Sequence, residues 1–132
     1  MSENLDLVRS IYADWERGDF FGGSGDWIDP NIDFVMADGP DAGVWHGRAG
    51  LIEGTRALFR AWNDWRCETE EYVVLDAERV LVLLRVSGRG KTSGLEVGQV
   101  AVNLFHVQAG KVTKLAIYWD RANALAEFGL EE

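Results

Sequence analysis

Near Arg66 the hydrophobic pattern changes its period from three-to-four residues to two, and this switch restricts the fold more than any other feature. Beyond it, Cys67–Leu75, Val80–Ser87, Leu95–Val107 and Lys111–Trp119 read as strands. They are joined by Asp76-Ala77-Glu78-Arg79, a loop over 88–94 and Gln108-Ala109-Gly110. The nearly unbroken apolar run of Val80–Ser87 predicts a central strand covered on both faces. Before the switch, Leu5, Val8, Ile11, Tyr12 and Trp15 form one helical face over 5–17. Leu51, Ile52, Thr55, Leu58, Phe59 and Trp62 form another over 48–65. Gly54 inside that helix costs about 1 kcal/mol against Ala, which close packing against a strand would explain. Asp120 caps a last short helix over 121–128.

Helices followed by successive hairpins predict an α+β fold: a curved, mostly antiparallel sheet with helices packed on its concave face around a cone-shaped pocket. A length of 132 residues suits one domain, 1–132, with enough core to need neither disulfide nor metal. The net charge of -9 repels phosphate backbones and anionic headgroups, so neither nucleic acid nor membrane is expected as a partner. The one cysteine, Cys67, excludes an internal disulfide, and the N-terminus lacks an apolar signal core; both point to the cytoplasm.

Two histidines and one cysteine cannot build a closed zinc site, and no nucleophile elbow is present. Gly88-Arg89-Gly90-Lys91-Thr92 has the flavour of a phosphate loop but lacks its leading glycine, and strands flank it on both sides. No cofactor is called for. The glycines of 22–25 are either a hinge under a flap carrying Phe20, Phe21, Trp27 and Ile28 or ordinary loop residues.

The stretch from Ile32 to Arg48 carries the sharpest chemical signal. An apolar strand ends in Asp38, reverses at Gly39-Pro40 and returns through Trp45 to His46-Gly47-Arg48. A carboxylate in such a place is either a turn residue or, walled by aromatics, a general base. Asn103 and Gln99 share a strand face with Ala101, Phe105 and Val107, which suggests amide donors inside a cavity or a pair bonded to each other. Arg85 in its apolar strand needs a partner: a ligand carboxylate or an acid such as Glu96.

The segments VRSIYADWERGDF, NIDFVMADGPDAGVWHGRAGL, ERVLVLLRVSGRGKTSGLEV and AGKVTKLAIYWDRANAL together resemble the SnoaL-like branch of the nuclear transport factor 2-like superfamily, from about Leu7 to Leu125. The resemblance implies a cone-shaped fold, a homodimer formed through the outer sheet face and a deep apolar pocket. Its relatives include ketosteroid isomerase, polyketide cyclases, a dehydratase, an epoxide hydrolase and binding proteins without activity, so fold alone does not fix function. It places Asp38 where the isomerase-like members hold their base. Asn103 stands where the isomerase has a second Asp, and the isomerase's tyrosine falls at Ile11, one step from Tyr12. The epoxide-hydrolase pattern meets Arg85-Val86-Ser87, without its acid.

The expectation is a protein that holds a small hydrophobic ligand. In its catalytic form it is a cofactor-independent isomerase or cyclase of a carbonyl compound, with Asp38 as base and Asn103 and Tyr12 stabilising an enolate. Trp15, Trp45, Phe59, Trp62, Arg85, Gln99 and Phe105 are expected to line the pocket. The alternative is a non-catalytic ligand-binding or dimerisation module.

Overall fold

The computed structural model describes residues 3–17, 26–38, 42–59, 62–90 and 94–130, without the side chains of 57–59, 62–63 and 97. The elements in chain order are α1 (Glu3–Glu16), β1 (Ile28–Met36), β2 (Gly43–His46), α2 (Gly47–Phe59), β3 (Trp62–Val74), β4 (Arg79–Gly90), β5 (Glu96–Gln108), β6 (Lys111–Tyr118) and α3 (Arg121–Glu127). The six strands form one sheet in the order β2-β1-β6-β5-β4-β3. All neighbours pair antiparallel except β1 and β6, which run parallel.

Alternation along β4 and β5 sorts the side chains onto two faces. Val80, Val82, Leu84 and Val86 join Ala101, Phe105 and Val107 in a core under α1, with Val8, Ile11, Tyr12 and Trp15 packed against them. Leu81, Val102, Leu104 and Ala116 pack on the other side against Ala124 and Leu125 of α3. Both faces of β4 are thus covered along Val80–Leu84, but by different helices. The side chain of Asp120 accepts the amide N–H of Asn123 and caps α3. At its other end α1 is tied to the β3–β4 turn, where Asn4 Nδ2 donates to the Ala77 carbonyl at 2.8 Å.

The helical stripe expected through Trp65 ends sooner: α2 stops at Phe59, and Trp62 and Trp65 belong to β3. The cause is a bulge. Asp64 sits at φ 53, in the left-handed region, and the β3–β4 register slips between Asn63 and Arg66. That slip breaks the two-residue alternation and leaves two tryptophans at a spacing that mimics a helix. Gly54 has the close neighbour its position demanded. A Cβ there would lie 2.6 Å from the Phe34 ring and 3.0 Å from that of Trp45, so the missing side chain lets α2 press on β1.

His46, the last residue of β2, faces Asp33 across β1 and β2, with Nδ1 2.8 Å from the carboxylate, in a largely exposed cross-strand pair. His106 differs. Burial, with Lys114 and Arg79 beside it, holds its pKa below the ordinary 6.5. The folded chain then binds fewer protons than the unfolded one, so this contribution to stability is complete above 6.5 and is lost as pH falls through the folded value. Urea titrations from neutral pH down toward pH 5 are expected to show a falling midpoint, and His106→Gln a flatter slope; equal slopes would refute the assignment.

Candidate functional site

The concave face is walled by aromatic rings that four separate segments deliver. Tyr12 and Trp15 project from one face of α1, Tyr72 comes from β3, Phe105 from β5, and Trp27 from the turn before β1. Tyr12 meets Trp15 at 4.8 Å, Phe105 at 5.7 Å and Tyr72 at 6.2 Å between ring centroids, all edge-to-face. Trp27 stands 6.3 Å from Trp15.

Among the described residues two polar side chains are buried, Thr55 and Asn103. Thr55 bonds back to the Leu51 carbonyl of its own helix. Asn103 reaches across the core instead. Its Nδ2 donates to the Tyr12 hydroxyl at 2.6 Å, joining β5 to α1 over 91 residues of sequence. The hydroxyl is an acceptor in that bond, so its own proton is directed elsewhere. Full burial pushes the Tyr12 hydroxyl well above its usual 10, against the smaller opposing effect of the Asn103 bond. Tyr12 therefore remains a neutral donor at any physiological pH. An amide that donates into a hydroxyl strengthens the hydroxyl as a donor in turn. The pair can donate a hydrogen bond to a carbonyl oxygen or an enolate; it cannot supply a free acid proton.

Asp38 lies at the far end of β1, half-buried. Its carboxylate accepts the amide N–H of Trp119 at 2.7 Å and of Asp120 at 3.2 Å, one on each oxygen. It thereby pins the chain where β6 passes into α3. Parallel pairing of β1 with β6 brings the two strand ends together and makes this possible. The ring that follows this pin is informative. Trp119 meets Trp65 of β3 edge-to-face at 6.4 Å, although two strands lie between β6 and β3. Three strand steps span about 14 Å in a flat sheet, so the contact requires strong curvature and side chains reaching over the concave face.

Of the other residues expected at the site, Trp15 and Phe105 are buried on this face. Trp45 is partly buried beside Phe34, at 5.8 Å, under α2. Gln99 shares the parity of Asn103 but is exposed toward the end of β5. The expectation for Arg85 is corrected. It is exposed on the opposite face, beyond the part of β4 that α3 covers, and Glu96 pairs with Arg66 at 2.6 Å. The side chains of Phe59 and Trp62, and the 22–25 segment, lie outside the described residues. Cys67, buried in the same core, has its thiol pushed up to about 12 by burial, which removes it as a nucleophile. Trp27, Tyr72, Trp65 and Trp119 were not singled out as site residues from the sequence. Each looks locally like an ordinary core aromatic, and only the curvature of the sheet gathers them.

A curved six-stranded sheet with helices on it, and an aromatic-walled concave face holding one buried amide–hydroxyl pair, define a nuclear transport factor 2-like α+β protein. The sequence model of the SnoaL-like domain matches residues 8–115, and the chain belongs to that family. No curated protein matches the sequence. Among solved structures, an NTF2-like protein of unknown function from Burkholderia pseudomallei superposes with a TM-score of 0.78 at 21% identity, over 96% of this chain and 97% of that one. TerC, co-crystallised with polyporic acid, gives 0.77 at 18% identity over 97% and 99%. A protein from Jannaschia sp. CCS1 named as a SnoaL-like polyketide cyclase gives 0.73 at 18% over 98% and 93%. At such identities the likeness is one of fold. Among the described residues no helix is long and apolar enough to cross a membrane, and no group of His, Cys, Asp and Glu has the arrangement of a metal site.

Proposed function

We propose that the chain binds a small hydrophobic carbonyl compound on the concave side of its sheet, with the Asn103–Tyr12 pair as the polar anchor. The observation that carries this reading is the 2.6 Å bond between a buried amide and a buried hydroxyl amid aromatic rings. An apolar wall with few, fixed polar groups is the usual make-up of a small-molecule site. That the similar TerC was crystallised with polyporic acid, and that another neighbour is named a polyketide cyclase, agrees with an oxygenated ring compound. A homodimer and a cytoplasmic setting are part of the same proposal.

Titration of a panel of cyclic enones and polyketide-like compounds against the tryptophan fluorescence is the test. Tyr12→Phe keeps the ring and removes the donor, so it is expected to weaken binding about five- to tenfold. No binding by any member of the panel, or equal binding by the variant, would refute the anchor.

A second reading is the catalytic one, with Asp38 as the base of an isomerase or cyclase. Its half-buried place at the strand end favours it, since each carboxylate oxygen keeps a lone pair after accepting one amide. Turnover by native protein that disappears in a folded Asp38→Asn variant still able to bind would establish it. Binding without turnover identifies the non-catalytic module.

A further inference from the structure

Register decides on which side of the sheet each strand cation lies. Along β4, Val80, Val82, Leu84 and Val86 belong to the concave core, so Arg79, Arg85 and Arg89 point outward. Arg66 pairs with Ser87, and Lys114 with His106, which itself stands opposite Arg79; both cations therefore share the outer face. Lys111 precedes the concave Val112, and its Nζ donates to the Asp26 carbonyl. β1, β2 and β5 contain neither Lys nor Arg. Of the helical cations, Arg121 is neutralised by Glu70 at 2.5 Å. Arg9 is exposed on α1, its guanidinium engaged over the Tyr72 ring at 4.7 Å from the centroid.

Carboxylates, by contrast, approach the concave side from two directions. Asp38 stands two residues past the concave Met36, at the end of β1. Glu16, at the end of α1, accepts the Thr69 hydroxyl at 3.4 Å, where Thr69 pairs in register with the concave Leu84. Its charge is felt in the core, since the Cys67 thiol is raised by burial first and by Glu16 second. The Asn103–Tyr12 anchor supplies dipoles and no charge, because full burial keeps the hydroxyl protonated. An anion brought to that anchor would give up its hydration and find no counter-ion among the described residues of the concave side.

Resting on the concave-side reading above, we infer that the site takes its ligand uncharged: neutral ketones, enones, lactones and esters are accepted, and carboxylates, phosphates and ionised enols are refused. The sidedness of the sheet cations carries this, and the carboxylates of Asp38 and Glu16 reinforce it.

A displacement titration on native protein at neutral pH is the test. A cyclic enone is bound first, followed by tryptophan fluorescence, and then displaced by a cyclic keto acid or by its methyl ester. The ester is expected to displace the enone at a concentration at least about tenfold lower than the acid. The acid is the smaller of the two, so its weakness cannot come from size. Acid bound at the outward arginines displaces nothing and stays out of the readout. The ratio is expected to hold at about 0.5 M salt, because a buried charge is screened far less than a surface one. A ratio that vanishes in salt overturns the inference, since repulsion by the net charge of -9 would then account for it. Displacement by acid and ester at equal concentrations overturns this inference alone. If neither the enone nor the ester binds, the concave-side reading falls, and this one with it.

Discussion

Phe105→Ala is expected to lower unfolding stability by about 3–5 kcal/mol. The ring has no exposure and lies on β5 between Val80 of β4 and Leu115 of β6, beneath α1. It touches the Tyr12 ring at 5.7 Å and the Trp15 ring at 6.3 Å, so its removal deprives two other aromatics of a neighbour. Neighbouring backbone is fixed by strand pairing on both sides, which leaves little room to collapse into the void. A domain of this kind has about 5–15 kcal/mol in all, so the variant should unfold at much lower urea. Chemical denaturation followed by far-UV circular dichroism measures it, and a loss under about 1 kcal/mol would mean that the concave core is not packed as described.

The second large effect belongs to Asp38. Hydrogen bonds to a charged group contribute about 1.5–3 kcal/mol each, and Asp38 makes two, of which one is long. Allowing for its partial exposure, Asp38→Ala is expected to cost about 2–4 kcal/mol. Asp38→Asn should fall between, since its amide offers one oxygen and sets an N–H₂ against the second backbone N–H. Release of the Trp119 amide should also alter the near-UV circular dichroism, because the Trp119 ring is held against Trp65. A variant with native stability and an unchanged aromatic spectrum would show that Asp38 does not brace this junction. The consequence for catalysis is direct: activity lost in Asp38→Asn indicates a base only where the spectrum shows the Trp119–Trp65 contact intact.

What the sequence shows of this fold is its local part. The strands of Val80–Ser87 and Leu95–Val107 are readable because the first is a nearly unbroken apolar run and the second lies beyond the change to a period of two. The boundary between α2 and β3 is not, since one left-handed residue, Asp64, shifts the pattern by a step. The burial expected for Arg85 failed for a related reason. An apolar run says that both faces are covered but not how far α3 extends along the outer one, and it stops short of Arg85.

The site divides in the same way. Asn103 was legible as an amide among apolar neighbours, and Tyr12 as a polar tip on a buried helical face. Their bond joins positions 91 apart and follows from tertiary packing alone. Asp38 was legible as an acid at a strand end, but its partners stand 81 and 82 residues away, brought there by the one parallel pairing of the sheet. Local pattern carries no trace of such a pairing.

A ligand carbonyl anchored on Tyr12 would be visible in a crystal structure of the chain with a bound cyclic enone. The carbonyl oxygen is predicted to lie within about 2.6–3.2 Å of the Tyr12 hydroxyl, with Asn103 still donating to that hydroxyl from behind. A ligand whose carbonyl lies elsewhere, with the Asn103–Tyr12 pair sealed from it by the surrounding rings, would contradict the claim and leave that bond as a fastening between β5 and α1.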